Sequence, residues 1–155
     1  MLLENGGGAV YAAGDCEIEP VETIDATRRF ARVRANGGEP LGSDAGPALD
    51  RIATATAGEL VGVCQRVMEM AVEYARERKQ FDRPIGAYQA VSHRCADMLR
   101  DTESARSTTL WAAWAAEAEP ETLPLAAAMA KAAASDAGWS AVSYTHLTLP
   151  TTPYV

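Results

Sequence analysis

The chain has 155 residues, of which 48% are hydrophobic, and a formal net charge of −7. That is enough apolar material for one domain with a sizeable core and too much for a disordered chain. The negative charge argues against nucleic-acid binding, which needs a basic surface, and no apolar run approaches the roughly 20 residues of a membrane helix.

At the N-terminus, Met1-Leu2-Leu3 is followed at once by Glu4 and by Gly6-Gly7-Gly8, so the start has no signal-peptide core. Strand-like runs follow at Ala9 to Ala12, Cys16 to Ile18 and Thr27 to Arg34. In the last of these, Arg28, Phe30, Arg32 and Arg34 alternate with Arg29, Ala31 and Val33, the period of two of a strand. Asn36-Gly37 signals a tight turn, and Gly38, Pro40 and Gly42 close the segment. Two or three strands rarely stand alone, so residues 1–42 are expected to be the end of a β domain.

From Ser43 the pattern turns helical. Ser43 or Asp44 is placed to cap, and Pro47 suits a first helical turn. Leu60, Val61, Cys64, Val67, Met68, Ala71, Val72 and Ala75 recur at three- and four-residue steps, which predicts a helix running to about Lys79 before Pro84 forces a break. A second helix is expected from Ile85 or Gly86. Its stripe is Tyr88, Val91, Cys95, Met98, Thr102, Ala105, Thr109 and Ala112. Pro120 and Pro124 bracket the next turn. A third helix from about Glu121 carries Ala126, Ala127, Ala130, Ala133, Ala134 and Ala137, small residues that allow close helix approach.

Residues 43–142 thus read as a helical domain. After Val142 the composition shifts to threonine and proline with no charge, which opposes continuation of an alanine-rich helix. Residues 143–155 are therefore read as a non-native tail, of the kind that translated linker DNA would give, and are expected to add nothing to the core. Cys16, Cys64 and Cys95 show neither CxxC nor metal-ligand spacing, so no metal site is assigned. Isolated thiols in odd number suit a reducing cytoplasm, with the thiols as buried fillers.

One stretch carries most of the functional information. It reads Tyr74-Ala75, Arg78, Gln80-Phe81-Asp82, Pro84-Ile85, Gln89-Ala90-Val91, His93 and Ala96-Asp97-Met98. In this order and spacing it closely resembles the junction of the first two long helices in the C-terminal domain of flavin-dependent acyl-CoA dehydrogenases. That family's pattern is Tyr-Ala, Arg, Gln-Phe-Gly, Pro-Ile, Gln-Ala-Val, His, Ala-Asp-Met. The resemblance extends over about residues 9–142, under half of a family member, and includes Thr23-Ile24-Asp25 and Thr27-Arg28-Arg29 in the β segment. It implies a mainly α fold: three antiparallel helices of a four-helix bundle, preceded by a short β segment.

The resemblance also implies a fragment of an enzyme. The intact protein would oxidise acyl-CoA to trans-2-enoyl-CoA with FAD, pass electrons to an electron-transfer flavoprotein, and form a homodimer or homotetramer. An acyl-CoA oxidase and a non-catalytic helical assembly module are the alternatives. Arg76, Arg78, Lys79 and Arg83 form a local cationic cluster, which either offsets a helix C-terminus or binds phosphate through planar guanidinium forks. The resemblance singles out Arg78 as reaching the pyrophosphate of FAD on a partner subunit, with Gln80 and Phe81 flanking the cofactor. Tyr88 and Gln89 fall near its adenosine half. Where the family prefers glycine, this chain has Asp82.

Asp50 and Arg51 match the region lining the acyl-CoA tail. Ile52 occupies the position of the catalytic glutamate found in a minority of members and cannot act as a base, so no catalytic residue is assigned and the chain alone is expected to be inactive. Three structural readings complete the sequence: a local His93–Asp97 pair, a Glu103–Arg106 pair, and Trp111, Trp114 and Trp139 as core or interface aromatics.

Overall fold

The structure is a computed structural model that describes residues 2–4, 7–25, 27, 29–35 and 38–148. The chain divides into two compact units, Met1–Gly46 and Pro47–Val155.

Among the described residues the first unit holds five strands. β1 (Leu2–Glu4), β2 (Gly7–Val10) and β5 (Glu39–Asp44) form an antiparallel sheet in the order β1-β2-β5. β3 (Cys16–Val21) pairs with β4 (Phe30–Ala35) in a separate hairpin. The arginine alternation in β4 has a local cause. Arg34 and Arg32 lie opposite Glu17 and Glu19, with ion pairs of 3.7 and 3.2 Å along one face. On the other face Ile18 lies opposite Val33. β1 and β5 are additions to the expected strands, and β4 begins at Phe30 rather than Thr27. The Asn36-Gly37 turn lies outside the described residues.

The second unit is built on three long helices. α1 (Gly46–Glu77) starts where the Asp44 carboxylate accepts the Gly46 amide at 2.9 Å, with Pro47 in the first turn, where a missing N–H costs nothing. The Ser43 side chain lies outside the described residues. α1 ends two residues before the expected Lys79, because Arg78 N–H donates the last helical bond, to Tyr74 O, at 2.9 Å. α2 (Gln89–Ala118) follows a short 3-10 turn, Ile85–Ala87. α3 (Leu123–Thr148) is opened by the Thr122 carbonyl, which accepts the Ala126 amide at 3.0 Å. Pro124 lies inside the first turn of α3, not in the connection as expected.

Short connections make α2 antiparallel to both neighbours. Arg51, near the start of α1, reaches the Ala116 carbonyl near the end of α2 at 3.0 Å. Midway, Arg106 of α2 donates to Gln65 of α1 at 2.8 Å while holding the expected pair with Glu103 at 3.1 Å. The core is an alanine seam. Ala105, Ala112 and Ala115 of α2 and Ala126, Ala130 and Ala134 of α3 are fully buried, with Ala57, Val61 and Cys64 of α1 completing the cluster. Without bulky side chains the α2 and α3 backbones approach closely, which maximises dispersion contacts per residue. Burial pushes the Cys64 thiol up from its ordinary value, keeping it neutral as a core filler. Cys16 and Cys95 are only half-buried.

A second cluster joins Met68, Ala71, Met98 and Ala141, with Tyr144 packed against it. It corrects the expected end of the helical domain. α3 continues through Ser143 to Thr148, and the Arg94 guanidinium lies over the Tyr144 ring, 4.6 Å from its centroid. Weak helix propensities of a few tenths of a kcal/mol are offset here by the packing of a half-buried aromatic ring. Residues 149–155 lie outside the described residues. Deleting residues 143–155 is expected to cost about 1–2 kcal/mol through loss of Tyr144 packing. Tyr144→Ala should reproduce most of that loss in urea denaturation, and a deletion without effect would return the segment to a passive tail.

Trp111 packs against the alanine seam, and Trp114 and Trp139 are 51% and 80% exposed, which leaves an interface as the reading for those two. Asp97 pairs with Arg100 at 3.1 Å rather than with His93. Among the described residues, Thr102 is the exception to a satisfied core. It is fully buried, and its hydroxyl has no hydrogen-bond partner. Thr102→Val, which removes the unpaired hydroxyl at nearly constant shape, is expected to stabilise the protein by about 1 kcal/mol. A lower denaturation midpoint would instead show that the hydroxyl is partnered.

Candidate functional site

The residues expected to serve a cofactor converge on the connection between α1 and α2. β6 (Lys79–Gln80) and β7 (Arg83–Pro84) form a minimal hairpin in which Lys79 lies opposite Pro84 and Gln80 opposite Arg83. Phe81 and Asp82 form its two-residue turn with φ of 52° and 60°. Positive φ at both central positions is what a type I′ hairpin turn requires, and it explains why glycine would suit position 82. Aspartate tolerates this region better than most residues, whereas phenylalanine adopts it at a cost of about 1–2 kcal/mol.

The base of the hairpin is anchored. Ile85 N–H donates to Arg78 O at 2.8 Å, the Ile85 side chain is buried, and a Cβ on Gly86 would come within 3.0 Å of the Ala75 carbonyl. The tip is not. Phe81 is 82% exposed, and Arg78, Lys79, Gln80, Arg83 and Gln89 are exposed as well. Among the described residues, Arg76, Arg78, Lys79 and Arg83 have no carboxylate within ion-pair distance. These four cations lie in a segment that also holds Glu73, Glu77 and Asp82, so the turn carries a small local excess of positive charge on a chain of net charge −7. Arg78 and Lys79 follow the C-terminus of α1, while Arg76 belongs to its last turn.

Tyr88 was expected at the cofactor, and its polar end is already used within the chain. Its hydroxyl donates to Gln80 O at 3.1 Å, and the Arg83 guanidinium lies over its ring, 4.1 Å from the centroid. Neither contact was visible in the sequence, because each joins residues with no helical or strand periodicity between them.

Asp50 and Arg51 lie at the other end of α1. From Arg51 to Arg78 the helix rises about 40 Å at 1.5 Å per residue, so one copy of the chain does not bring the two sets together. The Asp50 carbonyl accepts from Thr54 Oγ1 at 2.9 Å, and the Arg51 guanidinium serves the last turn of α2, whose carbonyls lack helical donors. Ile52 is 53% exposed. His93 is exposed, and among the described residues no three His, Cys, Asp or Glu side chains are grouped to hold a metal ion. Among those residues, too, no helix is long and apolar enough to cross a membrane.

The sequence profile of the acyl-CoA dehydrogenase C-terminal domain matches residues 45–145. Acyl-CoA dehydrogenase IpdE2 of Mycobacterium tuberculosis is 42% identical over 119 residues, which cover 77% of this chain and 35% of that protein. The glutaryl-coenzyme A dehydrogenase–glutaryl-CoA complex superposes with a TM-score of 0.77 at 25% identity, covering 88% of this chain and 38% of that one. Butyryl-CoA dehydrogenase from Megasphaera elsdenii gives a TM-score of 0.82 over 94% of this chain and 42% of its own, at 22% identity, and shows the shared fold. The chain spans about a third of the length of the curated relative.

Proposed function

The chain belongs to the acyl-CoA dehydrogenase family, and on that premise we propose that the turn between α1 and α2 is a cofactor-binding element of an FAD-dependent acyl-CoA oxidation. The observation that carries the proposal is the exposed, uncompensated cation at Arg78, at the family's motif position and beside the projecting Phe81. A pyrophosphate needs charge-assisted donors that are not already spent on carboxylates, and Arg78 has that chemistry. Gln80 and Gln89 offer amides that both donate and accept, Phe81 offers an apolar face, and Tyr88 stands behind them. FAD, when bound, supplies the hydride acceptor with which an acyl-CoA becomes its trans-2-enoyl-CoA as a carboxylate takes the α-proton.

Asp50 and Arg51 are assigned to the acyl-CoA side. Their separation of about 40 Å from Arg78 supports assigning the two sets to different sites, with Arg78 acting on the cofactor of a second subunit as the family resemblance implies. This favours a homodimer or a dimer of dimers. An electron-transfer flavoprotein is the proposed electron acceptor. No residue of this chain is assigned as the base, and the 155 residues alone are expected to turn over no acyl-CoA.

The test is anaerobic addition of acyl-CoA to the FAD-loaded protein extended to the length of its relatives. Bleaching of the oxidised-flavin absorbance supports the proposal. Bleaching followed by rapid reoxidation in oxygen identifies an acyl-CoA oxidase. A colourless protein that takes up no FAD sinks the proposal and leaves a helical assembly module.

A further inference from the structure

We infer that Tyr88 and Arg83 are positioning residues, a brace that holds the 78–83 turn in its cofactor-facing shape rather than a pair that touches the cofactor. The inference rests on the proposed cofactor role of the turn.

The turn cannot hold itself. A hairpin of two strands with two residues each is far below the size that is stable alone. Its central residues both adopt positive φ, and one of them is a phenylalanine, which the unfolded chain avoids. The anchors at Ile85 and Gly86 fix only the base of the hairpin. Towards the tip, two contacts supplement the ladder. The Tyr88 hydroxyl holds the Gln80 carbonyl, the last backbone group before the turn. Arg83, the first residue after the turn, lies over the same ring. One side chain therefore engages both residues that flank Phe81-Asp82.

The backbone that carries the ring is itself fixed. Tyr88 immediately precedes α2, and its carbonyl accepts the Val91 and Ser92 amides at 3.0 Å each. Tyr88 thus ties the shape of the turn to the start of a rigid helix. Its one O–H donor is engaged by a backbone carbonyl and one ring face by a guanidinium, so neither is free to bind a ligand directly.

The experiment compares Tyr88→Phe, Arg83→Leu and Arg83→Lys with the parent. Tyr88→Phe keeps the ring and deletes only the hydroxyl, so the fold should survive. Amide hydrogen exchange across residues 79–84 is measured on the 155-residue chain. FAD affinity is measured by titration of the apo-protein extended to its relatives' length, with Arg78→Ala in parallel. Loss of the brace is expected to speed exchange at the turn about fivefold and to weaken FAD about fivefold in Tyr88→Phe, with no change in exchange along α2. Arg83→Leu should behave likewise, and Arg83→Lys should be intermediate because an ammonium lacks the planar stacking face. Unchanged exchange in Tyr88→Phe overturns the brace. Faster exchange with unchanged FAD affinity, while Arg78→Ala does weaken FAD, overturns the positioning role alone. FAD affinity unaffected by Arg78→Ala overturns the cofactor reading, and the positioning role falls with it.

Discussion

Arg78→Ala in the protein extended to its relatives' length is expected to weaken FAD binding about 10- to 150-fold, whereas Arg76→Ala changes it little. A charge-assisted hydrogen bond to a phosphate is worth about 1.5–3 kcal/mol, and each 1.4 kcal/mol is a factor of ten in affinity. Both arginines are exposed, lie two residues apart and have no ion-pair partner among the described residues. General electrostatic attraction would therefore penalise both mutants alike. They differ in direction. Arg76 is on the last turn of α1, beside Pro84, Ser92 and Cys95, while Arg78 leaves the helix and opens the hairpin. Titration of FAD into the two apo-proteins separates the readings. Equal affinities would make Arg78 a cation that merely offsets a helix terminus.

The second large effect is on stability. Met98→Ala is expected to destabilise the bundle by about 3 kcal/mol, within the 2–5 kcal/mol typical of such truncations. Met98 is 1% exposed and is among the largest fully buried side chains. It fills the space between Met68 and Ala71 of α1 and Ala141 of α3. Its neighbours Ala71 and Ala141 have no side-chain length with which to close the void, so most of the cavity term persists. Leu110→Ala on the same helix removes a side chain that is 64% exposed and should cost under about 0.5 kcal/mol. Urea denaturation of the two variants makes the comparison. Similar losses would mean that α2 presents a different face to its neighbours.

The helices were legible because packing imposes a period on the sequence. Every residue of the α1 stripe from Leu60 to Ala75 is buried or half-buried, and so is every residue of the α2 stripe from Tyr88 to Ala112. The alanines of α3 fall where α2 and α3 meet. What escaped has no period. β1 is only Leu2-Leu3-Glu4, too short to show an alternation, and β5 contains Pro40 and Gly42 and pairs with β2, far back along the chain. Beyond Val142, α3 places Tyr144 against a cluster and an arginine contributed by α1 and α2, which no local pattern announces. The expected His93–Asp97 pair had the right spacing, but Arg100 is a full positive charge on Asp97's other side and takes the carboxylate. The motif identified the residues of the turn, yet not its strained φ values or its brace, because a bond from a side chain to a backbone carbonyl eight residues back leaves no mark on composition.

Hydrogen exchange with and without FAD, in the protein extended to its relatives' length, tests most directly whether the connection between α1 and α2 meets the cofactor. FAD is expected to slow exchange across residues 78–89, with little change along the exposed face of α3 that carries Leu125, Met129 and Trp139. Protection elsewhere in the chain with none at residues 78–89 would contradict it.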